Sequence, residues 1–128
     1  MKDLVLAAGA PQPIGPYSHA IKANGLVFVS GQIALNAATG TMVQDTIEAE
    51  THQVMKNMGA ILEAAGVNFG AIVKTTIFLT DLGNFEKVNA IYGEYFNGTL
   101  APARETVQVV ALPKGANVEI SCIADLQN

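Results

Sequence analysis

Tyr17-Ser18-His19-Ala20-Ile21-Lys22-Ala23-Asn24-Gly25-Leu26-Val27-Phe28-Val29-Ser30 is the stretch from which the fold can be read outward. Two strand-like runs, Tyr17 to Ala23 and Leu26 to Ser30, flank Asn24-Gly25, a dipeptide that accepts the two positive φ angles of a type I′ turn, so a β-hairpin is predicted here. Upstream, the short apolar run Leu4-Val5-Leu6 precedes Ala10-Pro11-Gln12-Pro13-Ile14-Gly15-Pro16. Its three prolines forbid regular backbone pairing and predict an extended loop. Downstream from Ile47, the apolar residues Val54, Met55, Met58, Ile61, Leu62 and Ala65 recur at intervals of three and four, the stripe of an amphipathic helix. Asp45, with Glu48 three residues on, reads as its capping-box start, and Gly66 as its stop. Ile72 to Thr80 is rich in β-branched residues and predicts a strand. A second helical stripe follows at Phe85, Val88, Ile91, Tyr92, Tyr95 and Phe96, closed by Asn97-Gly98. Arg104 to Leu112 and Val118 to Ala124 predict two last strands, joined by Pro113-Lys114-Gly115-Ala116-Asn117 as a turn. About six strands and two amphipathic helices imply one α+β domain over residues 1–128: a mixed sheet with helices on one face and its other face apolar.

Half of the 128 residues are apolar and only 14% are charged, against roughly 25% charged in an average soluble domain. A small monomer has too little interior to hide that much apolar surface, so an obligate oligomer is expected, with interfaces resembling a divided core. Seven Lys and Arg against eleven Asp and Glu leave a net charge of −4, and the cations form no run. Phosphate backbones need clustered cations, so nucleic-acid binding is disfavoured. Met1-Lys2-Asp3 opens no apolar signal-peptide core, and no segment is apolar over the eighteen or so residues of a membrane span. The cytoplasm is the expected compartment. Cys122 is the sole cysteine, which forbids an internal disulfide; beside it only His19 and His52 are present, so no His/Cys zinc spacing exists.

Three places could carry chemistry. In Val118-Glu119-Ile120-Ser121-Cys122-Ile123-Ala124 a carboxylate stands among apolar neighbours. It must face solvent, pair with a cation, or occupy a site where a raised pKa is useful. Period-two geometry groups Glu119, Ser121 and Ile123 on one face, and the residues alone leave the choice open. Arg104, in Ala101-Pro102-Ala103-Arg104, carries a fork that matches a carboxylate; it also reads as an ordinary surface arginine closing a strand. If the strands bearing Arg104 and Glu119 are hairpin neighbours, the two groups can share one site. Val29-Ser30-Gly31-Gln32 offers a hydroxyl and a glycine that lets a ligand approach the backbone, or else a bulge. Tyr17 reads as a packed aromatic and His52 as a solvated helix position. No phosphate-binding glycine loop and no G-x-S-x-G elbow occurs.

Taken in order, Ile14-Gly15-Pro16-Tyr17-Ser18, Val29-Ser30-Gly31-Gln32, Val88-Asn89, Pro102-Ala103-Arg104 and Val118-Glu119-Ile120 resemble the successive signatures of the RidA (YjgF-like) family across nearly the whole chain. The resemblance implies a chorismate-mutase-like α+β fold and a homotrimer with its sites in the clefts between subunits. It further implies a cofactor-free, metal-free hydrolysis of 2-imino or 2-enamino acids, such as 2-iminobutanoate and 2-iminopropanoate, to 2-oxo acids. Such imines are released by pyridoxal-phosphate-dependent dehydratases. By the same resemblance Arg104 would grip the substrate carboxylate and Glu119 would activate water, with Tyr17, Ser30, Gly31, Phe85 and Asn89 lining the pocket. Thr106 stands where many relatives carry a cysteine; on the face of Arg104, it could still donate a hydrogen bond. Glu105, beside it, should point the other way. Two other functions are open: an RNA-cleaving, translation-inhibiting protein, and a non-catalytic trimer, chaperone-like or a sensor of small carboxylates.

Overall fold

The protein is described by a computed structural model covering residues 1–13 and 15–127; Ile14, part of the first family-like motif, lies outside the described residues. Six strands, β1 (Asp3–Val5), β2 (Ala20–Ala23), β3 (Leu26–Gln32), β4 (Ile72–Leu79), β5 (Ala103–Gln108) and β6 (Val118–Asp125), form one sheet in the order β1-β2-β3-β6-β4-β5. All pairings are antiparallel except β4 with β5. The hairpin turn is as the sequence reads: Asn24 and Gly25 hold φ of 53° and 76°, and Ala23 pairs Leu26.

The helices α1 (Ile47–Ala64) and α2 (Phe85–Glu94) cover one face, giving the mixed sheet with one-sided helices that the patterning predicts. From α1, Val54, Met55, Met58, Ile61 and Leu62 are fully buried against Val27, Ile77, Leu79, Val118, Ile120 and Ala124 of the sheet. Along β6 burial alternates residue by residue, with Val118, Ile120, Cys122 and Ala124 toward the helices. The opposite face has no such cover. Phe28, Val107 and Leu4 are exposed, from 40% for Val107 to 56% for Leu4, an apolar surface of the kind that marks an interface. Among the described residues no helix is long and apolar enough to cross a membrane.

Several local readings change: the strand expected over Tyr17 to Ala23 is confined to Ala20–Ala23, and the one expected over Arg104 to Leu112 to Ala103–Gln108. The strands bearing Arg104 and Glu119 are not hairpin neighbours, because β6 passes over β5 and inserts between β3 and β4. There it gains a hydrogen-bonded partner on each side and buries its apolar face, which the sheet edge does not offer. The cap of α1 is Thr46 rather than Asp45, since the Thr46 hydroxyl accepts the Ala49 N–H at 3.0 Å. And α2 ends at Glu94, before Asn97-Gly98, with Tyr95 as its C-cap. Thr46→Ala is expected to cost about 1 kcal/mol of unfolding free energy by chemical denaturation. Asp45→Ala, at an exposed side chain outside the cap, is expected to stay within about 0.5 kcal/mol of wild type.

Candidate active site

Glu119 projects from β6 onto the open face. Beside it β3 is irregular: Val29 pairs Cys122 and Gln32 pairs Ile120, so three steps on β3 match two on β6, a β-bulge at Ser30-Gly31. At this bulge a Cβ built on Gly31 would lie 2.0 Å from Glu119 Oε2, so only glycine leaves room for the carboxyl as it stands. Tyr17, Ser30, Gly31, Ile33, Pro113 and Glu119 enclose a half-open cleft of about 290 Å³. Burial among these groups pushes the Glu119 carboxyl above its usual range. The Ser30 hydroxyl donates to the Ser18 carbonyl at 2.6 Å and the Ser30 N–H to the His19 carbonyl at 2.9 Å, which ties the Tyr17 loop to the cleft wall. Tyr17 is half exposed on the rim, not packed in the core.

Arg104 belongs to a second, separate group. Its Nη1 donates to Asn89 Oδ1 at 2.7 Å, and its guanidinium carbon lies 5.6 Å from the Phe85 ring centroid and 5.1 Å from that of Tyr92. Two ring faces and one amide thus hold the cation at the edge strand while its remaining N–H groups can meet an anion. Tyr92, which the sequence reading treated only as helix stripe, is the buried floor of this group. Its hydroxyl is bonded to Thr75 Oγ1 at 2.8 Å, and burial raises its pKa.

Within one chain the two groups do not meet. Arg104 is level with Thr75 of β4 and Glu119 with Phe78. Three residues along a strand span roughly 10 Å and reverse the face. Arg104 therefore faces α2, whereas Glu119 faces away from it.

The endoribonuclease L-PSP family model matches residues 7–126. The chain belongs to the RidA (YjgF-like) family. The Arabidopsis thaliana protein named Reactive Intermediate Deaminase A, chloroplastic, is 52% identical over 125 residues, covering 98% of this chain and 66% of that protein. A Mus musculus protein named 2-iminobutanoate/2-iminopropanoate deaminase is 44% identical over 97% of this chain and 91% of its own length. The crystal structure of a Yersinia pestis protein of unknown function from the conserved Rid family superimposes with a TM-score of 0.95 at 52% identity, covering 98% of this chain and 99% of that one.

Measured on this RidA-family frame, the candidate residues divide cleanly. Tyr17, Ser30 and Gly31 stand with Glu119; Phe85 and Asn89 stand with Arg104. Thr106 shares the face of Arg104, two residues along β5, but its hydroxyl is buried and among the described residues has no hydrogen-bond partner, so the expected donation finds no acceptor. Glu105 does turn to the open face. There it accepts from Thr76 at 2.5 Å and pairs with Lys74 at 3.2 Å, and these two partners lower its pKa. His52 is only partly solvated: its Nδ1 lies 2.9 Å from the Tyr95 hydroxyl, joining α1 to the residue that caps α2. Among the described residues no cluster of three or more His, Cys, Asp or Glu side chains is placed to hold a metal ion. The obstacle to a side chain at Gly31 is the movable end of Glu119, and the glycine has no positive φ. Gly31→Ala is therefore expected to fold with a Tm within a few degrees of wild type, about a 1 kcal/mol effect. A crystal structure is expected to show the Glu119 carboxyl displaced from the cleft.

Proposed function

We propose that the chain hydrolyses short 2-imino acids to 2-oxo acids and ammonia, at sites completed by Arg104 of one copy and Glu119 of a neighbouring copy in a homotrimer. The observation that carries this reading is the division just described: an aromatic-braced guanidinium and a desolvated carboxyl, on opposite faces of one sheet, each in an incomplete pocket. Two copies related by rotation can supply one of each to a shared cleft, and the uncovered apolar face gives them a reason to associate. The names of the mouse and Arabidopsis relatives support the same chemistry.

In this mechanism Arg104 and Asn89 hold the substrate carboxylate and orient the iminium carbon, whose side chain meets Phe85. Glu119, ionised but poorly solvated, takes a proton from water as the water oxygen bonds to that carbon, giving a neutral carbinolamine. The carboxylic acid then protonates the amine nitrogen, the C–N bond breaks with its electrons going to nitrogen, and the hydroxyl proton passes back to Glu119 as the carbonyl forms and on to the departing ammonia, which leaves as ammonium and restores the carboxylate. Atoms balance as iminium plus water giving oxo acid plus ammonium, and no cofactor enters. In the cytoplasm, the compartment expected from the sequence, such imines arise wherever a dehydratase releases an enamine.

The family model's description names RNA cleavage, but the cations do not favour it here. Lys22 lies on β2, Lys56 on α1, Lys87 on α2 and Lys114 in the last turn, while Lys74 is spent on Glu105. A non-catalytic carboxylate sensor would bind oxo acids without any rate effect on imine decay.

Semicarbazide trapping in a coupled dehydratase reaction reads the activity directly. Wild type is expected to accelerate imine loss, and Arg104→Ala to lower kcat/KM by at least about a hundredfold, near 3 kcal/mol of transition-state binding, while remaining folded. An active, folded Arg104→Ala variant would sink the assignment. Mixing two inactive variants, Arg104→Ala and Glu119→Gln, after subunit exchange is expected to restore about a quarter of wild-type activity, since in a randomly mixed trimer about one cleft in four holds both native groups. No recovery, with exchange verified by mass spectrometry, would place both groups in the same subunit's site or none.

A further inference from the structure

A buried carboxylate outside the reaction holds the turn that connects the two ends of the Glu119 cleft. Glu50, in the first turn of α1, is 1% exposed, and among the described residues no cation pairs with it. A carboxyl group taken out of water must replace its lost hydrogen bonds with protein donors. Here they come chiefly from one residue: the Asn117 backbone N–H donates to Oε2 at 2.7 Å and the Asn117 side-chain amide to Oε1 at 2.8 Å. Gln44 Nε2 adds a longer bond to Oε2 at 3.4 Å and donates to the Gly115 carbonyl at 2.9 Å. From the other side, the Thr80 N–H donates to the Asn117 carbonyl at 3.1 Å. Asn117 is thus held at its N–H, its side chain and its carbonyl.

What is fixed in this way is the approach to the cleft. Asn117 directly precedes β6 and stands two residues before Glu119; Pro113, at the far end of the same turn, lines the cleft with it. Between them Lys114 and Gly115 take φ of 55° and 67°, consecutive left-handed residues of which only one is glycine. A turn carrying that conformational cost needs contacts that over-determine it. Both oxygens of a carboxylate accept, so Glu50 can take a backbone and a side-chain donor of Asn117 together. A glutamine has one accepting oxygen and would turn its own N–H groups toward one of those donors.

We propose that Glu50 is a positioning residue, which through Asn117 sets where Pro113 and the Glu119 carboxyl stand in the cleft. It touches no substrate. The inference rests on the assignment of Glu119 to imine hydrolysis.

In the full chain, Glu50→Gln is expected to lower kcat for imine hydrolysis about tenfold while KM changes less than about threefold, because binding is left to Arg104 and only the proton carrier moves. Combining Glu50→Gln with Asn117→Asp reverses the side-chain bond, the new amide donating to the new carboxylate while its oxygen still accepts the backbone N–H, and kcat is expected to return. A wild-type kcat in folded Glu50→Gln overturns the proposal. So does a loss that the double substitution fails to recover, since that loss would come from the fold in general. Should Glu50→Gln not fold, Asn117→Ala, at an exposed side chain, is expected to lower kcat several-fold, and an unchanged kcat there overturns the proposal as well. If the wild-type chain hydrolyses no imine, the activity assignment fails and the clasp is judged separately by NMR. The Gly31 amide resonance, beside the Glu119 carboxyl, is expected to shift in Glu50→Gln, and a fixed resonance overturns the clasp.

Discussion

The pleat of the sheet governs everything the site can be. Successive side chains of a strand point to opposite faces, and β4, lying between β5 and β6, sets the level of both. Arg104 is level with Thr75 and is directed to the α2 side; Glu119 is level with Phe78 and is directed to the open side. No rotamer of two side chains reverses a face, so the two charges can cooperate only across copies of the chain. The same pleat divides the apolar residues. One set closes a core with α1 and α2, and the other, with Leu4, Phe28 and Val107, is left on a surface that gains by being covered.

Three glutamates illustrate how environment assigns work to one chemical group. Glu105 sits on the open face with Lys74 and Thr76 beside it, and its charge is held in place. Glu50 is wholly enclosed and fully supplied with N–H donors, so it acts as a fastener. Glu119 is partly enclosed without a comparable set of partners, and burial raises its pKa above the usual carboxylate range. The bulge at Ser30-Gly31 gives it room, and a side chain there would fill the space its carboxyl occupies. Arg104 follows a different rule. A guanidinium loses little by leaving bulk water when ring faces accept it, and Phe85 and Tyr92 provide those faces without neutralising the charge.

Local signals in the chain carried far. Asn24-Gly25 predicts its hairpin because both residues tolerate positive φ, and the three-four spacing from Val54 to Ala65 predicts α1 because burial of one stripe is what stabilises a helix in a protein. The alternation from Val118 to Ala124 already separates Glu119 from the core face. Errors arose where two local candidates competed or where the deciding partner was remote. Asp45 and Thr46 are both good caps, and only the backbone entry angle selects Thr46. His52 is isolated in sequence, and its Tyr95 partner is contributed by the other helix. The Glu50 clasp is likewise illegible, since its donors lie 67 residues away.

By itself the sequence determined that there are two helices among strand segments, roughly where each lies, the face that Glu119 takes on its strand, and the family to which five spaced motifs assign the chain. Strand order was decided only by the tertiary structure. Residue patterns record that a strand is buried on one side, yet not which strand lies next to it, and β6 gains more from two partners between β3 and β4 than from one at the edge. That insertion places Glu119 on the open face, apart from Arg104 on the α2 face.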